Sequence, residues 1–182
     1  MESMIKKYFP EMGIDIFWYS KKLTQNISSE NNNLTSLDET IKKCKKCNLH
    51  KTRRNTVFGE GDPDSNIMII GEAPGREEDE VGRPFVGRAG KLLNEFLKSI
   101  NLNRDSVFIV NTIKCRPPEN RDPEASEISA CSDYLDQQIN IIKPKVLVLL
   151  GKIAANRLLG EDMPMSELRL KKFFIDKYDI PI

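Results

Sequence analysis

The chain contains no run of about eighteen consecutive apolar residues, the length a helix needs to span a bilayer. Its opening residues, Met1-Glu2-Ser3-Met4-Ile5-Lys6-Lys7, lack the compact apolar segment of a secretory signal. An intracellular, cytoplasmic protein without a membrane partner is expected. The chain also lacks a charge excess: 28 Lys and Arg against 27 Asp and Glu give a formal net charge of +1. That balance excludes a uniformly basic, histone-like binder but permits a basic groove on one face. Histidine is nearly absent, His50 being the only one, and there are four cysteines in 182 residues. They lack the clustered spacing of ferredoxins. In a reducing cytoplasm such thiols point to metal binding rather than to two disulfides. The length suits one domain with a real core and is short for two.

What is present is a strand that runs into an active-site-like loop. The apolar Ile67-Met68-Ile69-Ile70 leads directly to Gly71-Glu72-Ala73-Pro74-Gly75-Arg76-Glu77-Glu78-Asp79 and then to Arg83-Pro84-Phe85-Val86-Gly87-Arg88-Ala89-Gly90. An amphipathic helix is expected from about Gly87 to Ile100, which places the loop at the carboxyl end of a strand, where open α/β sheets bind ligands. Val107-Phe108-Ile109-Val110 reads as a second buried strand and Lys145-Val146-Leu147-Val148-Leu149-Leu150 as a third. Asp122-Pro123-Glu124 is expected to open a long helix through Ile142, and another helix spans about Lys152 to Leu159. Strands alternating with helices predict a three-layer α/β/α sandwich with a central parallel sheet.

Residues 1–35 read as an N-terminal extension, its aromatic part docking on the domain and its polar part, Asn26-Ile27-Ser28-Ser29-Glu30-Asn31-Asn32-Asn33, forming a flexible linker. The domain proper is assigned to residues 36–182, its first helix started by a capping box at Ser36-Leu37-Asp38-Glu39. The tail from Arg169 to Ile182 reads as a pair of short strands ending inside the fold. The spacing of Cys44-x-x-Cys47, Cys115 and Cys131 suits either zinc or an iron–sulfur cluster.

Four blocks carry a resemblance to the family 4, iron–sulfur uracil-DNA glycosylases. They are Cys44-Lys45-Lys46-Cys47, the two loop runs, Val110-Asn111-Thr112-Ile113-Lys114-Cys115-Arg116-Pro117-Pro118, and Cys131. The resemblance implies a uracil-DNA glycosylase-like fold, uracil-containing DNA as partner, a monomer, and hydrolysis of the N-glycosidic bond of a flipped deoxyuridine in base excision repair. It implies a structural four-iron, four-sulfur cluster on Cys44, Cys47, Cys115 and Cys131, with zinc as the alternative. Lys114, Arg116 and Arg121 would then face DNA phosphates.

In the same terms, Phe85 stacks on the base, Asn111 reads its edge through one amide, and Glu72 orients water or stabilises the cationic sugar. Glu78 crowds the C5 face and excludes thymine. Gly71 and Ala73 offer backbone amides to the base, and Gly87 offers its own to a phosphate. Glu77 and Asp79 are expected to be solvated acidic residues of the turn.

The family's His-Pro motif, its final strand and its closing helix have no counterpart, so a fragment is expected. A catalytically impaired iron–sulfur DNA-binding or interaction module is the alternative. Glu167-Leu168-Arg169-Leu170-Lys171-Lys172-Phe173-Phe174 is a candidate mimic of a sliding-clamp peptide, although Glu stands where Gln is usual and the segment reads better as fold.

Overall fold

Side chains of a strand alternate between its faces, so the uninterrupted apolar run Ile67–Ile70 needs cover on both sides. The computed structural model, which describes residues 27–160, 162–169 and 173–182, supplies it. In chain order the elements are α1 (Ile27–Lys42), β1 (Glu60–Gly61), β2 (Ile67–Gly71), α2 (Arg76–Val81), α3 (Arg88–Ser99), β3 (Phe108–Asn111), α4 (Ala125–Ile142) and β4 (Val146–Leu149). They are followed by α5 (Lys152–Leu159), α6 (Met165–Leu168), β5 (Phe174–Ile175) and β6 (Ile180–Pro181).

The main sheet has the order β1-β3-β2-β4. β2 runs parallel to both neighbours, with Gly71 level with Asn111 and Ile70 level with Leu149. On one face Met68, Ile70, Phe108, Val110 and Leu147 pack against Leu135, Ile139 and Ile142 of α4 and Leu34 of α1. On the other, Ile69, Val107 and Ile109 meet Leu93 and Leu97 of α3. The result is the three-layer α/β/α arrangement, with the ends of β2 and β3 open toward the loops that follow them.

Four details depart from the sequence reading. The polar stretch expected as a linker is helical, for α1 begins at Ile27 rather than Ser36. Leu34, Leu37 and Ile41 recur at helical spacing and are all buried. Packing of that stripe outweighs the modest helix preference of Asn and Ser, a few tenths of a kcal/mol to about 0.7 kcal/mol each. The expected docking of the aromatics in residues 1–26 lies outside the described residues.

The sheet is mixed rather than purely parallel, since β1 pairs antiparallel with β3. A Cβ on Gly61, whose φ is +122°, would stand 1.8 Å from Val107 O, so only glycine allows this pairing. The long helix starts at Ala125, leaving Pro123 before it, because the Glu127 carboxylate accepts the Glu124 N–H at 2.9 Å and closes the first turn there. Finally, β4 stands at the sheet edge, and of its four residues only Leu147 is fully buried. The expected pair of short tail strands is present as the antiparallel β5 and β6, anchored through Ile175 and Ile180 in the core and through Lys177 to Asp136.

Candidate active site

Gly71 and Asn111 end two adjacent parallel strands in register, which brings together loops forty residues apart in sequence. A Cβ on Gly71 would lie 2.4 Å from Phe85 Cζ and 2.5 Å from Asn111 Oδ1. The phenyl ring and the carboxamide thus converge on the one residue whose missing side chain leaves room for them. The ladder continues past the strands: Thr112 N–H donates to Gly71 O at 2.9 Å and the Thr112 hydroxyl to Glu72 O at 2.5 Å. Glu72 is half-buried beside this floor. Burial, with a smaller contribution from Asp122, raises its carboxyl above the usual carboxylate range. Ala73 leans against the cysteine-containing core on the other side of the loop.

Glu78 ties the loop's two arms together. Its Oε2 accepts the Gly75 N–H at 3.0 Å, and its Oε1 accepts those of Val86 and Gly87 at 3.0 and 2.9 Å. The Gly87 amide expected at a phosphate is therefore already bound to Glu78. Asp79 corrects another expectation: it is 3 % exposed rather than solvated, and accepts the N–H groups of Arg54 and Asn55. Glu77 is exposed, as expected.

Phe85 has φ +51°, a left-handed conformation that costs a bulky residue about 1–3 kcal/mol. Arg104 donates to both the Pro84 and Phe85 carbonyls, and Glu60 holds Arg104 in turn. Burial alone would raise the Glu60 carboxyl, but hydrogen bonds from Arg83 and Arg104 overcome it and hold it below the usual range. Sequence reasoning missed Arg104 and Glu60, because isolated charged residues outside every motif carry no signal of what they will meet.

Cys115 and Cys131 are buried with Leu37, Ile41, Leu49, Ile113 and Tyr134, and Cys44 and Cys47 pack against the same cluster. Among the described residues no group of three or more His, Cys, Asp or Glu side chains is arranged to hold a single metal ion. The thiols are nonetheless matched by cations. Arg53 donates from Nη1 to Cys115 Sγ at 2.9 Å and from Nη2 to the Lys42 and Cys44 carbonyls at 3.0 Å. Burial pushes the Cys115 thiol up to about 11 and raises that of Cys131. His50 sits by the cysteine pair, its Nδ1 donating to Cys47 O at 2.7 Å, and belongs to this cluster rather than to the floor at Gly71.

The expected phosphate contacts fare differently. Lys114 is corrected outright: it is 1 % exposed, and its ammonium donates inward to Asn111 O at 2.7 Å. Burial lowers its pKa to about 8 against the pull of Cys131 and Cys115. Lys114 follows a strand in a segment folded over the core, so the side chain turns in where the sequence only showed a cation. Arg121 forms a two-pronged pair with the Glu127 carboxylate at 2.9 and 2.7 Å. Arg116 is half-buried and donates from Nε to Asn120 Oδ1. Part of the clamp-like segment, residues 170–172, lies outside the described residues.

A family model for the Uracil DNA glycosylase superfamily matches residues 58–180. The chain is 50 % identical over 149 residues to a type-4 uracil-DNA glycosylase of Sulfurisphaera tokodaii, covering 80 % of this chain and 68 % of that protein. It is 52 % identical over 152 residues to the type-4 enzyme of Archaeoglobus fulgidus, covering 80 % and 76 %. With that of Pyrobaculum aerophilum it shares 54 % over 126 residues, 69 % of this chain and 64 % of the other. Identity of this order across most of the chain, with the superfamily model spanning residues 58–180, leaves one assignment: the chain belongs to the type-4 uracil-DNA glycosylases of that superfamily.

Proposed function

We propose that the chain releases uracil from DNA by hydrolysing the N-glycosidic bond of a deoxyuridine turned out of the helix, the step that opens base excision repair. The observation that carries this reading is the convergence of Phe85 and Asn111 on Gly71. A flat apolar face beside a carboxamide with a donor and an acceptor in one plane suits a pyrimidine edge that presents a carbonyl and an N–H. With the amide held in that one orientation, cytosine presents the opposite pattern and leaves buried polar groups unmatched, a penalty large enough to reject it.

As the glycosidic bond lengthens, positive charge grows on the sugar and negative charge on the departing base. An ionised Glu72 at the rim stabilises the sugar cation and orients the attacking water. Glu78, fixed by three amides, forms an anionic wall between the two arms of the loop, and its proposed role is to exclude the C5 methyl of thymine. Amides of Gly71 and Ala73 complete the base contacts.

Cys44, Cys47, Cys115 and Cys131 would hold a four-iron, four-sulfur cluster, which would supply a covalent cross-link between the segment after α1, α4 and the loop after β3. The support is the donor set itself: four thiols share one apolar cluster, and Arg53 hydrogen-bonds a sulfur. Phosphate contacts fall to surface cations of this face, Arg116 among them. No helix among the described residues is long and apolar enough to cross a membrane.

The deciding measurement is uracil release from a uracil-containing oligonucleotide by protein purified without oxygen, beside Glu72→Ala. Release that falls roughly a hundredfold or more in the variant supports the reading. DNA binding without release would favour a binding module instead. Iron and sulfide analysis of the same sample separates a cluster from zinc.

A further inference from the structure

Arg104 lies in the one-turn helix before β3, nineteen and twenty positions along the chain from the two carbonyls that it grips. Its Nη1 donates to Phe85 O at 3.0 Å and to Asn94 Oδ1 at 3.1 Å, and its Nη2 to Pro84 O at 2.5 Å. Its Nε donates to Glu60 Oε1 at 2.5 Å, while Arg83 Nε holds the other oxygen of Glu60 at 2.6 Å. Each of the three nitrogens of the guanidinium thereby has a partner, and none of those partners is the Phe85 ring. From the opposite side, the first turn of α3 presses on the same peptide: a Cβ on Gly90 would stand 1.7 Å from Phe85 O. A phenylalanine left to itself avoids φ +51°. This backbone is held there by a half-buried guanidinium in front and a glycine behind, and the outcome is a ring laid against Gly71 next to Asn111.

We infer that Arg104 is a positioning residue for base recognition: by fixing the left-handed Phe85 peptide it sets the orientation of the stacking ring, without itself touching the base. The inference rests on the uracil reading above. Lysine cannot replace the fork, because an ammonium has no planar arrangement of donors spanning two carbonyls and a carboxylate.

The test combines the KM and kcat for uracil release with equilibrium binding of free uracil, for the wild type, Arg104→Gln, Arg104→Lys, Phe85→Ala and the Arg104→Gln/Phe85→Ala pair. Thermal unfolding is followed for each. Stacking of one base on an aromatic ring accounts for roughly fivefold to a hundredfold in affinity, so Arg104→Gln is expected to weaken uracil binding and raise KM about tenfold, with kcat changed less. Arg104→Lys behaves alike. In the Phe85→Ala background the same substitution is expected to add less than about twofold, since the ring it aims is gone.

Equal tenfold losses in both backgrounds, or variants that lose thermal stability but bind uracil as the wild type does, overturn the inference. Should both Arg104 variants fail to fold, Glu60→Gln loosens the same fork from behind and is read by the same criteria. A wild type that binds uracil without releasing it rejects only the activity, and coupling is then read from binding. A wild type that does neither overturns the functional reading and this inference with it.

Discussion

Glu72 illustrates how one side chain is tuned by where its strand ends. It follows the last residue of β2, half out of water, with Asp122 adding like charge, and its carboxyl is raised above the ordinary range. The carboxylate is the form that stabilises a sugar cation, so activity is expected to fall as pH drops, beginning above the range of a solvated glutamate. The same shift has the opposite sign for stability. The native state binds the proton more tightly than the unfolded chain, so ionisation costs stability as pH rises through the shifted pKa. Glu72→Gln is therefore expected to slow uracil release roughly a hundredfold, flatten the acid limb of the residual kcat/KM profile, and leave neutral-pH stability unchanged or slightly higher. A profile that keeps its acid limb in Glu72→Gln would assign that limb to another group.

At the scale of elements, the pocket depends on three segments meeting within a few ångströms: the end of β2, the end of β3 and the first turn of α3. Gly90 is where α3 touches the Phe85 backbone, and a methyl group there has no space because the atom in its way is backbone rather than a flexible tip. Gly90→Ala is expected to displace either α3 or Phe85, destabilising the fold by about 1–3 kcal/mol as overpacking does, and weakening uracil binding in parallel. Denaturant unfolding alongside uracil binding checks both. An alanine variant with wild-type stability and affinity would show that this contact relaxes freely. The α2 helix contributes differently: Glu78 uses its position in the first turn to bind the amides of both arms, so the short helix acts as a brace between them.

For the whole molecule, the four cysteines lie on the α1 and α4 side, close in sequence to the strand end that carries Asn111. α1 packs on α4, Cys131 lies on α4, and Cys115 follows Asn111 by four residues, so the proposed cluster would tie the helical face to the strand that ends at Asn111. Removing the metal anaerobically from the loaded protein is expected to speed hydrogen exchange in α1 and in residues 112–117. The centre of the sheet, β2 and β3, should stay protected, since its core of Met68, Ile69, Ile70 and Ile109 owes nothing to the thiols. Uniform loss of protection across the sheet would mean that the metal holds the entire fold.

The sequence by itself determined the strands and helices of the sandwich, the placement of Gly71-Glu72 and Asn111 at strand ends, and the family. Those features are local: apolar runs of four residues, punctuating glycines and a loop motif are written contiguously in the chain. It misread the residues before Ser36, because their polar composition favoured a linker while the stripe of Leu34, Leu37 and Ile41 drew them into a helix. It misplaced Lys114, because a charge in sequence does not reveal whether its side chain points outward. Only the tertiary structure decided that Arg104 grips Phe85, that Glu78 clasps two loops, and that Asp79 is buried. Each depends on groups far apart in sequence coming within hydrogen-bond distance, and in a buried setting such polar groups take whichever partner the packed backbone presents.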